Sequence, residues 1–268
     1  MGSEVIVITS GKGGVGKTTI TANVGNALAS IGKKVVLVDG DTGLRNLDIL
    51  MGLENRIIYN LIDVIEEKCS LKQALVRDKR YKELFLLPTA QLRDKTDIKP
   101  EQMISLISQL RDSFDYILID SPAGIEQGFE NAVVCADKAI VVINPELTSI
   151  RDADRVIGKL ESKGFDDTRL IINRLDYEMV ANEDMLSIED ITDVLNIKLI
   201  GIVENDKVIT ISTNKGEPIV LDESSNTAKS FKQIAMRIMG NEIPIENNKE
   251  KNSSFVDVLK NYLMLSKR

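Results

Sequence analysis

Gly11-Lys12-Gly13-Gly14-Val15-Gly16-Lys17-Thr18-Thr19 follows an apolar run, Val5-Ile6-Val7-Ile8, and opens a stretch of helical character at 19–31. A glycine-rich turn between strand and helix lets the backbone curl so that its N–H groups converge on one point. The helix that follows presents its positive N-terminal end to that point, which suits phosphate. Lys17 is placed to reach the β- and γ-phosphates of a nucleotide, and the Thr18 hydroxyl is placed to reach Mg²⁺. The candidate nucleotide-binding residues are therefore Gly11, Lys12, Gly13, Gly14, Val15, Gly16, Lys17, Thr18 and Thr19.

Outward from this loop, apolar runs recur at 35–38, 84–87, 116–119, 139–143, 170–172 and 199–203, separated by helical patterns at 102–111, 150–162, 188–195 and 227–239. Continuous apolar runs suit parallel strands covered on both faces. Their alternation with helices predicts an α/β fold, a doubly wound, mostly parallel sheet of the P-loop type with helices on both faces. In such sheets the ligand lies beyond the carboxyl ends of the strands. The chain has 268 residues, 43% of them hydrophobic, enough for one large core. Its net charge of −7 argues against non-specific attraction of the whole molecule to DNA. Histidine is absent, which excludes imidazole catalysis and histidine metal sites. Cys69 and Cys135 lack metal-site spacing, and their apolar neighbours predict buried thiols in a reducing compartment. No signal peptide and no bilayer-spanning run is expected, and Ile6 does not fit a myristoylation signal.

Two apolar runs end in acid. Residues 35–38 lead into Asp39-Gly40-Asp41, and residues 116–119 lead into Asp120-Ser121-Pro122-Ala123-Gly124. An apolar strand ending in Asp near a phosphate loop is a Walker B arrangement, its carboxylate close to Mg²⁺. Thr18, Asp41 and Asp120 form the candidate metal site, and Gly124 can change backbone conformation with the terminal phosphate. Asp41 also reads as a turn or capping residue, Lys12 as a solvated loop lysine, and Asn173 as a turn former.

The second lysine of the loop gives it the form Lys-Gly-Gly-Val-Gly-Lys-Thr. It resembles the deviant Walker A ATPases, a family of chromosome- and plasmid-partition proteins, septum-placement proteins and the nitrogenase iron protein. The runs 41–48, 120–126, 151–155 and 214–218 resemble its septum-placement branch, in order from the first strand to about Gly240. The resemblance implies ATP and Mg²⁺ as cofactors and a homodimer that closes on ATP. Lys12 would cross the dimer interface to the partner's nucleotide, and Lys12, Lys17 and Asp41 would be the catalytic residues, Asp41 positioning the attacking water. Asn173 and Arg174 would meet the adenine, while Glu204 to Asp206 lack the proline usual in that second base segment. Arg151, Asp152 and Asp154 would contact a division-inhibitor protein and a small activator of hydrolysis. Among the family's other branches, a DNA-binding partition ATPase is opposed by the acid balance. An iron protein would need cluster cysteines near the switches, whereas Cys135 falls in a helical stretch well past Asp120.

After Met239 the composition turns polar. The expected division is an ATPase domain at 1–240, a flexible linker at 241–253 and a terminal helix at 254–268. At about 100° per residue, Phe255, Val256, Val258, Leu259, Tyr262, Leu263 and Leu265 fall on one arc. Lys260, Lys267 and Arg268 lie with Asp257 and Asn261 on the other, Met264 being the one large apolar residue there. Such a helix is too short to span a bilayer and suits an anionic membrane surface, and docking on the domain's own core is the alternative. Together these readings place the chain in the cytoplasm and peripherally on the inner face of the cell membrane.

Overall fold

The computed structural model describes residues 2–41, 46–90 and 98–245; the expected tail helix and its membrane-facing residues lie outside them. In chain order the elements are β1 (Glu4–Thr9), α1 (Lys17–Ser30), β2 (Val35–Asp39), α2 (Leu47–Met51), α3 (Leu61–Ile65), α4 (Leu71–Ala74), β3 (Val76–Arg77) and β4 (Leu84–Leu87). They continue with α5 (Pro100–Arg111), β5 (Tyr116–Asp120), α6 (Gln127–Val133), β6 (Lys138–Ile143), α7 (Leu147–Ser162), β7 (Thr168–Leu175), α8 (Tyr177–Ala181), α9 (Ile188–Leu195), β8 (Lys198–Glu204), α10 (Lys207–Asn214) and α11 (Asn226–Ile238). Among the described residues eight strands form one sheet, ordered β3-β4-β2-β5-β1-β6-β7-β8, in which only the β3–β4 pairing is antiparallel.

Side chains alternate across each strand, so successive apolar residues serve opposite cores. Val5, Val7, Ile117, Ile119, Val141 and Ile143 pack with α5, α6, α7 and α9. Ile6, Ile8, Leu37, Leu118, Ile140 and Val142 pack with α1 and α11 on the other face. All seven apolar runs are strands, as expected of a sheet covered on both sides. β3, two residues long, carries no pattern to read.

Four expectations change. Helix α1 begins at Lys17 rather than Thr19, because Gly16 caps it in a left-handed conformation (φ 98°), putting Lys17 and Thr18 in the first turn. Cys135 lies just beyond the end of α6 rather than within a helix, and Cys69 is only half-buried. Burial pushes the Cys135 thiol up to about 12. The polar segment after Met239 does not leave the domain at once. Arg237 donates to the carbonyls of Ile243 (2.8 Å) and Pro244 (2.7 Å), and Ile245 packs against the core. No described helix is long and apolar enough to cross a membrane.

Candidate nucleotide site

The phosphate loop leaves the carboxyl end of β1, the strand flanked by β5 and β6 at the middle of the parallel array. Gly14 (φ 79°) and Gly16 (φ 98°) occupy the left-handed region that side chains resist. Gly16 is doubly required, since a Cβ there would lie 2.4 Å from Nδ2 of Asn173. A Cβ on Gly11 would lie 2.3 Å from the backbone carbonyl of Asp152, so the loop rests directly on α7. Lys17 is buried and donates to Ser10 Oγ (3.0 Å), while Ser10 Oγ donates to the Lys12 carbonyl (2.8 Å). The loop is thus preformed, with its lysine folded inward.

Asp39 and Asp120 stand opposite each other in the β2–β5 register, both about 1% exposed. Gly40 carries the chain over the end of β5, its N–H donating to the Asp120 carbonyl (2.9 Å). Burial pushes the Asp120 carboxyl up to about 6, against the pull of Thr18 and Thr21 hydroxyls and of Lys17. Thr21 Oγ1 lies 3.3 Å from Asp120 Oδ1. Asp39 is raised well above the ordinary carboxyl range by burial and by the negative charges of Asp120, Asp41 and Asp48. Its Oδ1 accepts from the Asp41 N–H (3.2 Å), and its buried Oδ2 has no hydrogen-bond partner among the described residues. Carboxylates crowded in this way want a cation. This chemistry, beside the Thr18 hydroxyl and a glycine loop open to phosphate, fits a nucleotide with Mg²⁺. Asp39 was missed as a site residue in the sequence, where it is one of two acids closing the same strand.

Gly124 (φ 90°) donates to the Ser10 carbonyl (2.9 Å), tying the segment after Asp120 to the phosphate loop. Asn173 is buried and gives its Nδ2 to the Val15 carbonyl (2.7 Å). Arg174 is exposed and left-handed (φ 59°), where the β7–β8 register breaks. Lys12 is exposed and bonds Glu146 (2.8 Å), the residue capping α7. Arg151, Asp152 and Asp154 are half-buried on the first turns of α7, and Arg151 Nε lies 3.6 Å from Asp152.

Residues 3–163 match the model of a family described as an AAA domain. The septum site-determining protein MinD of Synechocystis is 57% identical over 243 residues, which cover 90% of this chain and 91% of that protein. The chain belongs to the MinD family of septum site-determining proteins. Its fold is likewise that of solved MinD-family structures. A chain of the Aquifex aeolicus MinC:MinD cell division protein complex is 51% identical with a TM-score of 0.86, over 91% of this chain and 99% of that one. MinD of Pyrococcus horikoshii, complexed with Mg-ADP, is 30% identical with a TM-score of 0.81, over 90% of this chain and 100% of that one. MinD-family membership makes ATPase activity and nucleotide binding the general expectation for this loop, which the crowded carboxylates match.

Proposed function

We propose that this chain is a Mg²⁺-dependent ATPase that dimerises on ATP and attaches peripherally to the inner face of the cell membrane, where it positions the division septum. The observation that carries the reading is the phosphate loop set against the paired carboxylates Asp39 and Asp120. The loop amides and the N-terminus of α1 bind the phosphates, and Lys17 turns from Ser10 to the β- and γ-phosphates. Bound Mg²⁺ neutralises phosphate charge. Thr18 would hold the metal, with Asp120 and Asp41 beside it. Asp41 orients the attacking water, and Gly124 reports the terminal phosphate through its bond to Ser10. Oδ1 of Asn173 accepts from the adenine amino group while Arg174 covers the base.

Lys12 leaves Glu146 to reach the partner subunit's phosphates, which makes the dimer dependent on ATP. Two tail helices, one per subunit, then bind the membrane together. One short helix binds weakly, and joining two raises avidity by roughly 10²–10⁴. The MinC of the Aquifex complex suggests the partner: a MinC-like division inhibitor, recruited at the α7 face of Arg151, Asp152 and Asp154. A MinE-like activator of hydrolysis at the same face releases the dimer.

The experiment is Asp41→Ala. Its role lies in orienting water rather than holding ground-state phosphate, so turnover should fall by about 10²-fold or more with ATP still bound. Stopped hydrolysis with an ATP-loaded dimer supports the reading, and unchanged hydrolysis removes Asp41 from it.

A further inference from the structure

Helices α2 and α10 meet end to end, and their meeting point is unusual. Gly52, which ends α2, and Gly216, just past α10, are both left-handed, with φ 62° and 63°. A Cβ on Gly52 would lie 2.7 Å from the Gly216 carbonyl oxygen, and a Cβ on Gly216 would lie 2.9 Å from the Gly52 Cα. The two backbones therefore touch where no side chain fits between them. Both ends present carbonyl oxygens, which repel one another unless a cation stands between them.

Arg80 supplies that cation. Its guanidinium donates to the Met51 carbonyl (2.9 Å) at the end of α2 and, at 3.4 Å, to the Gly216 carbonyl past α10. Asp78 aims it through two further bonds, Nε to Oδ1 (3.1 Å) and Nη2 to Oδ2 (2.6 Å). The Asp78 side chain is fully buried, and its carboxyl sits below the ordinary range although burial opposes it, because Arg80 and the N–H groups of Arg80 and Tyr81 bond it. Arg80 is thus held from one side and spends its other donors on the junction.

Helix α2 follows the carboxyl end of β2 and α10 follows that of β8, the end of the parallel sheet from which the phosphate loop leaves β1. α2 carries Asp48, which is buried. Met51 of α2 also receives a bond from Asn26 of α1, the helix of Lys17 and Thr18 (Nδ2 to Sδ, 3.2 Å). α10 leads directly from Glu204-Asn205-Asp206, and Asp206 caps it through the Val208 N–H (2.8 Å) while accepting from Thr227 of α11 (2.6 Å).

We infer that Arg80 is a positioning residue for ATP hydrolysis, locking α2 against α10 so that the carboxylate side of the site keeps its place relative to the phosphate loop. The inference rests on the ATPase reading above. Phosphate binding resides in the loop and α1, so loss of Arg80 should spare affinity and reduce turnover. Misplacement of reacting groups by fractions of an ångström to an ångström costs about tenfold to a hundredfold in rate.

The test compares Arg80→Gln, Arg80→Lys and the double variant Asp78→Asn/Arg80→Gln, which removes the buried charge pair together if the single change does not fold. Arg111→Gln is the control, an arginine that likewise pairs with an aspartate, Asp137 (2.9 and 2.8 Å), and donates to a backbone carbonyl, that of Cys135 (3.3 Å), with no bond to α2 or α10 among the described residues. For each, the ATP dissociation constant, kcat, KM and melting temperature are measured. The inference expects kcat to fall about tenfold or more with ATP affinity within about threefold, Arg80→Lys to recover part of the loss, and Arg111→Gln to match wild type in kcat. Wild-type kcat in the double variant, or kcat and ATP affinity falling together with melting temperature, overturns it. A wild-type chain that fails to hydrolyse ATP takes the ATPase reading down with it, whereas a normally active Arg80→Gln overturns this inference alone.

Discussion

Asp39 and Asp120 are packed face to face at the floor of the site, and the folded chain holds the Asp120 proton more tightly than the unfolded chain does. Its carboxyl moves from 3.8 to about 6, so its contribution to stability is fullest below 3.8 and is lost as pH rises through 6. In nucleotide-free, metal-free protein, Asp120→Asn should therefore raise stability by about 1–3 kcal/mol near pH 8. The gain should shrink as pH falls below about 5, and thermal melts across that range check it. Lys12 makes a second prediction at this scale. Lys12→Ala should abolish the ATP-dependent dimer seen by light scattering while nucleotide still binds in part through Lys17 and the loop amides. An ATP-dependent dimer of normal affinity would remove Lys12 from the interface. Lys17, Thr18, Asp41 and Asp120 are legible in the sequence because each closes or follows an apolar run. Glu146, 134 residues from Lys12, and Arg80, which bonds Gly216 across 136 residues, are not, since only the folded chain brings them together.

At the scale of elements, the close approach of the phosphate loop to α7 yields a paired test. Ala at Gly11 sets a Cβ 2.3 Å from the Asp152 backbone, while Ala at Gly13 meets open space. Gly11→Ala should cost about 1–3 kcal/mol and weaken nucleotide binding as the loop shifts, and Gly13→Ala should leave the melting temperature close to wild type. Equal melting temperatures would mean that the loop does not depend on this contact. Seven of the strands and the helices α1, α5, α7, α9 and α11 are readable because continuous apolar runs and helical stripes survive in one dimension. α10 has no buried residue at all, and α2 and α8 have five residues each, so no stripe marks them. Cys69 is half-buried for a related reason: apolar neighbours in sequence do not set depth in a short turn.

For the whole molecule, the account joins a nucleotide-timed dimer to a pair of membrane helices. Leu259 and Leu263 belong to the apolar arc of residues 254–268, beyond the described structure. Burying one such side chain contributes roughly 1.5–3 kcal/mol, so Leu263→Glu should release the ATP-loaded protein from anionic liposomes while leaving ATP binding and melting temperature intact. A helix docked on its own domain would give the reverse: a lower melting temperature and unchanged lipid affinity. The central claim is that ATP, through dimerisation, sets attachment to the membrane. Sedimentation of the full chain with anionic liposomes, in ATP, in ADP and without nucleotide, tests it most directly. The account predicts that the chain sediments in ATP and stays in the supernatant in the other two conditions. Equal sedimentation in all three, or none in ATP, would contradict it.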